Sequence, residues 1–197
     1  VVEIDPQFLI IEPVVPRADS QGAVKIREIL KTGTQYNEVG SAKIDDAIPM
    51  DCFINVDKAI QQGGGEIVYG WQIWETLPGV MMEAEFHAVW KNPDGTMYDV
   101  TPHIFDGIEH ILFLPDPNRT YAGKQIDNLR IALVKDKLVE QFIKNAKRRY
   151  KALNAGDLAY QHGVIAATPE MQQINRKFQQ LEAEIKQKYF IKLWQEK

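Results

Sequence analysis

Three consecutive glycines, Gly63-Gly64-Gly65, separate two segments of opposite periodicity. Before them, Asp51–Gln62 places Phe53, Val56 and Ile60 on one helical face. A helix cannot continue cheaply through the glycines. After them, the run from Glu66 to Glu75 (EIVYGWQIWE) is rich in β-branched and aromatic residues and reads as a strand. Leu77-Pro78-Gly79 breaks it, and Glu83–Asn92 and Thr96–Thr101 form further strands around Asn92-Pro93-Asp94-Gly95. Ile111–Leu114 makes a fourth.

The flanking regions differ. Val1–Ile4 and Phe8–Ile11 read as short strands bounded by Pro6, Pro13 and Pro16, while the apolar residues between Ala23 and Lys31 fit neither period. Beyond residue 130 the pattern is helical: Val134, Leu138, Phe142, Ala146, Tyr150 and Leu153 share one face. Thr168 is placed as an N-cap with Pro169 at the first helical position, followed by the seam Met171, Ile174, Phe178, Leu181 and Ile185. The expected architecture is α+β: an antiparallel sheet packed on a cysteine-bearing helix, with a C-terminal helical pair. Two units are expected, a core with an N-terminal extension over 1–133 and a helical hairpin over 134–197.

Composition narrows the functional classes. With 197 residues, 45% hydrophobic and 25% charged, the chain has the make-up of a folded globular protein. A net charge of -4 argues against nucleic-acid binding through bulk charge. The basic group Lys144, Lys147, Arg148, Arg149 and Lys151 reads as a solvated helix face. No apolar run approaches the ~18 residues of a membrane span. A single cysteine, with no signal segment in view, excludes an internal disulfide and favours the cytoplasm. Cys52, His87, His103 and His110 lack compact zinc-motif spacing, so neither metal nor other cofactor is expected; His103 and His110 read as loop and surface residues, with a place near the site left open for His103 because it closely follows Asp99-Val100-Thr101-Pro102.

The lone cysteine nevertheless occupies a chemically favourable place. Cys52 opens the expected helix, where free backbone N–H groups and the positive end of the helix dipole favour a thiolate. His87 and Asp99 fall on consecutive strands. Pro93 at the second turn position and a left-handed Gly95 imply a three-residue hairpin loop, which pairs Asn92 with Thr96 and Val89 with Asp99. In that register His87 and Asp99 share a face as diagonal neighbours. A nucleophile, a base and an orienting carboxylate then come together. The backbone N–H of Cys52 is one oxyanion donor; Asn55, Gln72 and the indoles of Trp71 and Trp74 remain open as the second. Against this stand the ordinary roles of a buried cysteine, a core histidine and a strand-ending aspartate.

From Cys52 to Pro102 the chain resembles the core of the transglutaminase-like branch of papain-like cysteine enzymes. The residues carrying the resemblance are Cys52 in MDCFINV, His87 in EAEFHAVW and Asp99 in YDVTP, with GGGEIVYGWQIWE as the intervening strand. Met50 departs from the glycine often found two residues before the cysteine, and Phe53 from the frequent tryptophan after it. The resemblance implies Cys52 as nucleophile, His87 as general base and then acid, and Asp99 as orienter. It implies a thiol-dependent amide hydrolase, deamidase, thiol protease or acyltransferase, working on a protein or peptide amide through a thioester. The alternative is an inactive form of that fold serving as a protein-interaction module.

Overall fold

The computed structural model describes residues 5–161 and 166–191. The expected strand at Val1–Ile4 lies outside them. Phe8–Ile11 is not a strand: Phe8 ends a one-turn 3-10 helix at Pro6–Phe8, capped by the Asp5 side chain. This part of the chain bridges the sheet where Val14 pairs with Glu75, and Ile11 and Val15 pack against buried strand clusters.

Helix α1 (Gln21–Leu30) occupies the segment without a clear period. Ser20 caps it by accepting from the Ala23 N–H, and its buried face is Gly22, Ala23 and Ile26. Small residues carry no apolar signal, yet they let the helix lie close. A Cβ on Gly22 would stand 2.8 Å from both Met82 and Leu133. Strand β1 (Asn37–Ser41) buries only Val39. Helix α2 (Cys52–Gly63) leads through the glycines into β2 (Glu66–Leu77), β3 (Met81–Lys91), β4 (Met97–Asp99), β5 (His110–Pro115) and β6 (Leu129–Ala132). Gly65, at φ 88°, could not be another residue, because a Cβ there would meet the Lys91 carbonyl at 2.2 Å.

The expected antiparallel sheet packed on a helix is wrong. The strands run β2-β5-β1-β4-β3, and β2 pairs back onto β3. The result is a closed five-stranded barrel with β6 outside it, paired to β3. The barrel is mixed, since β1 runs parallel to β4 and antiparallel to β5. The polar strand β1, with one buried side chain, completes the closure, and so hydrophobic patterning did not reveal it. Val39, Trp74, Val89, Ile111 and Phe113 fill the interior. On the outer face, α1 packs over Trp71, Ile73, Ala84, Leu112 and Leu114, while α2 lays Val56 and Ala59 against Ala88 and Val100.

Helices α3 (Lys137–Leu153) and α4 (Pro169–Lys186) pack on one another through Phe142 and Phe178, whose ring centroids are 4.7 Å apart. Thr168 caps α4 by accepting from the Met171 N–H. Leu77, Val80 and Met81, at the β2–β3 turn, join Val139, Phe142, Leu181 and Ile185 in one buried cluster, which fixes the helical pair to that end of the hairpin.

Candidate active site

The site forms where β3 lacks a strand neighbour along one edge. Strand β6 pairs with Met81–Ala84 and β4 with Trp90 and Lys91. Among the described residues, neither strand pairs with the stretch between them, which contains Glu85 and His87. The N-terminus of α2 lies against it: Cys52 is the first residue of the helix and is buried with Ala88 and Val100.

The hairpin following β3 has the geometry that its turn residues dictate. Gly95 adopts φ 92°, the Gly95 N–H donates to the Asn92 carbonyl at 2.9 Å, and Asn92 N–H to Thr96 at 3.0 Å. Trp90 pairs with Tyr98 and Lys91 with Met97, so the register places Val89 opposite Asp99. Side chains of His87 and Asp99 therefore share a face. His87 Nε2 lies 3.1 Å from Asp99 Oδ1, which also accepts from the Thr101 N–H at 3.1 Å. With Nε2 on the carboxylate, Nδ1 is the nitrogen left for Cys52, which lies near enough for its charge to act on the ring.

Charge and burial act in opposite directions here. Burial by itself would lower the His87 pKa; the charges of Asp99 and then Cys52, with the hydrogen bond to Asp99, outweigh it and raise the value well above the ordinary one. Burial would likewise raise the Asp99 carboxyl. The His87 charge, with the close approach of His103 and hydrogen bonds from His87 and the Thr101 N–H, instead holds it far below the ordinary carboxylate range. Both directions favour the charged imidazolium–carboxylate pair.

His103 is a loop residue but not a surface one, and it takes the place near the site that its position close behind Asp99 left open. Its Nε2 stands 3.2 Å from Asp99 Oδ2, off the line of a good hydrogen bond, and its ring meets Trp74 edge-on at 5.7 Å. Asp99 thus lies between two imidazoles. The spacing of four residues from Asp99, across Pro102, was the available signal. His110 is exposed at the start of β5.

The second oxyanion candidates separate cleanly. Asn55 is fully buried, but both ends of its amide are engaged: Nδ2 donates to the Ile48 carbonyl at 2.7 Å and Oδ1 accepts from the Ile48 N–H at 2.8 Å. It secures the loop that feeds Cys52, including Met50, which is exposed at φ 65°. Trp71 points to the outer face of the barrel, where its indole N–H donates to Asp116 at 3.0 Å. Trp74 packs against His103. Gln72 shares the His87 face, because Gly70 pairs with His87 and Gln72 with Glu85. It is buried, and among the described residues its amide meets no partner within the protein.

A cavity of about 490 Å³ reaches from Cys52, Met50 and Phe53 past Glu83 and Glu85 to Phe142 and Phe178 of the helical pair. Tyr121 stacks on Phe53 at 3.7 Å and forms part of its wall. Among the described residues no group of three or more His, Cys, Asp or Glu side chains is arranged to hold a metal ion, and no helix is long and apolar enough to cross a membrane. No protein-family model matches the chain, and neither a curated protein nor a solved structure matches it significantly.

Proposed function

We propose that the protein performs thiol-dependent acyl chemistry on amides, with hydrolysis or deamidation as the outcome. The observation that carries this reading is the buried relay in which Asp99 holds Nε2 of His87 at 3.1 Å while Cys52 couples to the same ring from the start of α2. The order and types of these three residues also support kinship with transglutaminase-like cysteine enzymes.

The chemistry follows from the positions. Cys52 Sγ attacks the carboxamide carbon, and His87 delivers its proton to the departing nitrogen as the C–N bond breaks. Ammonia or an amine leaves, and a thioester remains on Cys52. Water then attacks the thioester while His87 takes its proton; the acid product leaves and the sulfur is released. Asp99 holds the ring orientation and stabilises its cation. The Cys52 backbone N–H, which opens the helix without a helical carbonyl to bond, serves the oxyanion; of the side chains considered for a second donor, Gln72, on the His87 face of the hairpin, is the one whose amide is not engaged elsewhere among the described residues. Glutamine- and asparagine-containing peptides, assayed for ammonia and for new amino termini, test the proposal. Cys52→Ala should abolish either product while leaving the circular dichroism and unfolding midpoint close to those of the parent. Persistent turnover in Cys52→Ala would refute it.

A further inference from the structure

The cavity beside Cys52 is unevenly charged. Arg130 is saturated by two carboxylates, Glu83 at 2.8 Å and Asp127 at 3.0 Å, and Glu182 is paired with Lys186 at 2.9 Å. Glu85 has no such partner: among the described residues it forms neither an ion pair nor a hydrogen bond. It lies on the His87 face of β3, two residues from the histidine, and is open to solvent through the cavity that it shares with Cys52. The protein packed around it raises its carboxyl pKa although solvent reaches it, with Glu83 adding to the shift and His87 and Arg130 opposing it. Leu77, Met81, Phe142 and Phe178 give the cavity an apolar part. A second cation, Arg149, lies 5.4 Å over the Phe178 ring and donates to Asn175 at 2.8 Å. Against Arg130 and Arg149 the lining sets the carboxylates of Asp51, Glu83, Glu85, Asp127 and Glu182.

We infer that the cavity selects an amide substrate carrying a positive charge on an aliphatic stem, such as a lysine side chain next to the reacting carboxamide, with Glu85 as the group that reads the charge. The stem would lie along the apolar part, and the ammonium would meet the carboxylate left without a cation of its own. This inference rests on the proposed amide chemistry for the word substrate, but its test does not need turnover.

Cys52, as the single cysteine, reports on the charge of its own cavity. Three methanethiosulfonate reagents of similar size are compared: one bearing trimethylammonium, one sulfonate and one neutral. In each case the thiolate attacks the sulfenyl sulfur, a mixed disulfide forms, and methanesulfinate leaves with the bonding electron pair. The cationic reagent should react roughly tenfold or more faster than the anionic one at low ionic strength, as expected where a cleft focuses one sign of charge. Glu85→Gln should reduce that ratio several-fold with the neutral rate retained, and Glu85→Asp should restore most of it. A ratio unchanged in Glu85→Gln, or a faster anionic reagent, overturns the inference. So does failure of all three reagents, since the cavity would then not open onto the sulfur. Loss of the charge preference would leave thiol catalysis standing; loss of activity in the peptide assay would leave the charge preference standing.

Discussion

Asn55 offers a sharp test of how the fold presents its sulfur. It is fully buried on the first turn of α2 and makes two hydrogen bonds of 2.7 and 2.8 Å to the backbone of Ile48. Asn55→Ala removes both, leaving the Ile48 N–H without a partner and the Ile48 carbonyl with only the long 3.4 Å bond from the Asp51 N–H. A hydrogen bond contributes about 1 kcal/mol net, and each buried group left unpaired costs about 1–3 kcal/mol. Ile48 is 45% exposed, so water can reach part of this backbone, which favours the lower end. The expected loss is roughly 2–3 kcal/mol, measured by urea unfolding with the slope unchanged. Turnover should fall further than stability accounts for, because Met50 and Asp51 then no longer deliver Cys52 in register. Asn55→Asp adds a pH signature. Its carboxylate would oppose the Ile48 carbonyl, whereas a protonated carboxyl could donate to it as the amide does. The folded state therefore raises that pKa, and the variant's relative stability is greatest at low pH and is lost as pH rises through the folded value. A stability for Asn55→Ala equal to the parent's, or an Asn55→Asp variant indifferent to pH, would refute this reasoning.

Other outcomes follow from the same geometry. His87→Ala should cost about 10²–10⁴ in turnover, the usual range for a general acid–base group, read as kcat/KM on the peptide substrate. Asp99→Asn keeps an oxygen in place for the Thr101 N–H but removes the charge, so the His87 pKa should fall, as followed by the NMR titration of its ring protons; an unchanged titration would dissociate the pair. Gly70→Ala should be strongly destabilising, by about 3 kcal/mol or more, because its Cβ would lie 2.4 Å from the Leu114 carbonyl and 2.5 Å from the Phe113 ring; thermal unfolding checks this. For pH, the signs oppose each other. The depressed Asp99 carboxyl contributes stability at pH above the unfolded carboxylate value, lost as pH falls through the folded one. The raised His87 contributes stability at pH below the unfolded imidazole value, lost as pH rises through the folded one. Cys52→Ala should move only the alkaline limit, to lower pH.

The local structure around the site was legible because it is written in strong, short-range signals. The glycines ending α2, the aromatic strand β2 and the Asn92–Gly95 turn each determine conformation within a few residues, and the turn alone decides that His87 and Asp99 share a face. Barrel closure was not legible in the same way. It depends on β1, whose Asn37, Glu38 and Ser41 carry no apolar pattern, lying between β4 and β5 through pairings distant in sequence. Helix α1 escaped notice because two of the three residues on its buried face, Gly22 and Ala23, are too small to mark a hydrophobic period. Asn55 and Trp71 were the right residue types for an oxyanion donor, but their polar atoms are engaged elsewhere, by Ile48 and Asp116. Only three-dimensional placement could distinguish them from Gln72.

The coupling of sulfur to imidazole is tested most directly by the alkylation rate of Cys52 with neutral iodoacetamide near pH 7, followed by mass spectrometry in the parent and in His87→Ala. Transfer of the thiol proton to His87 predicts rapid alkylation in the parent and a loss of about tenfold or more in the variant. Equal rates, or a thiol inert in both, would contradict it.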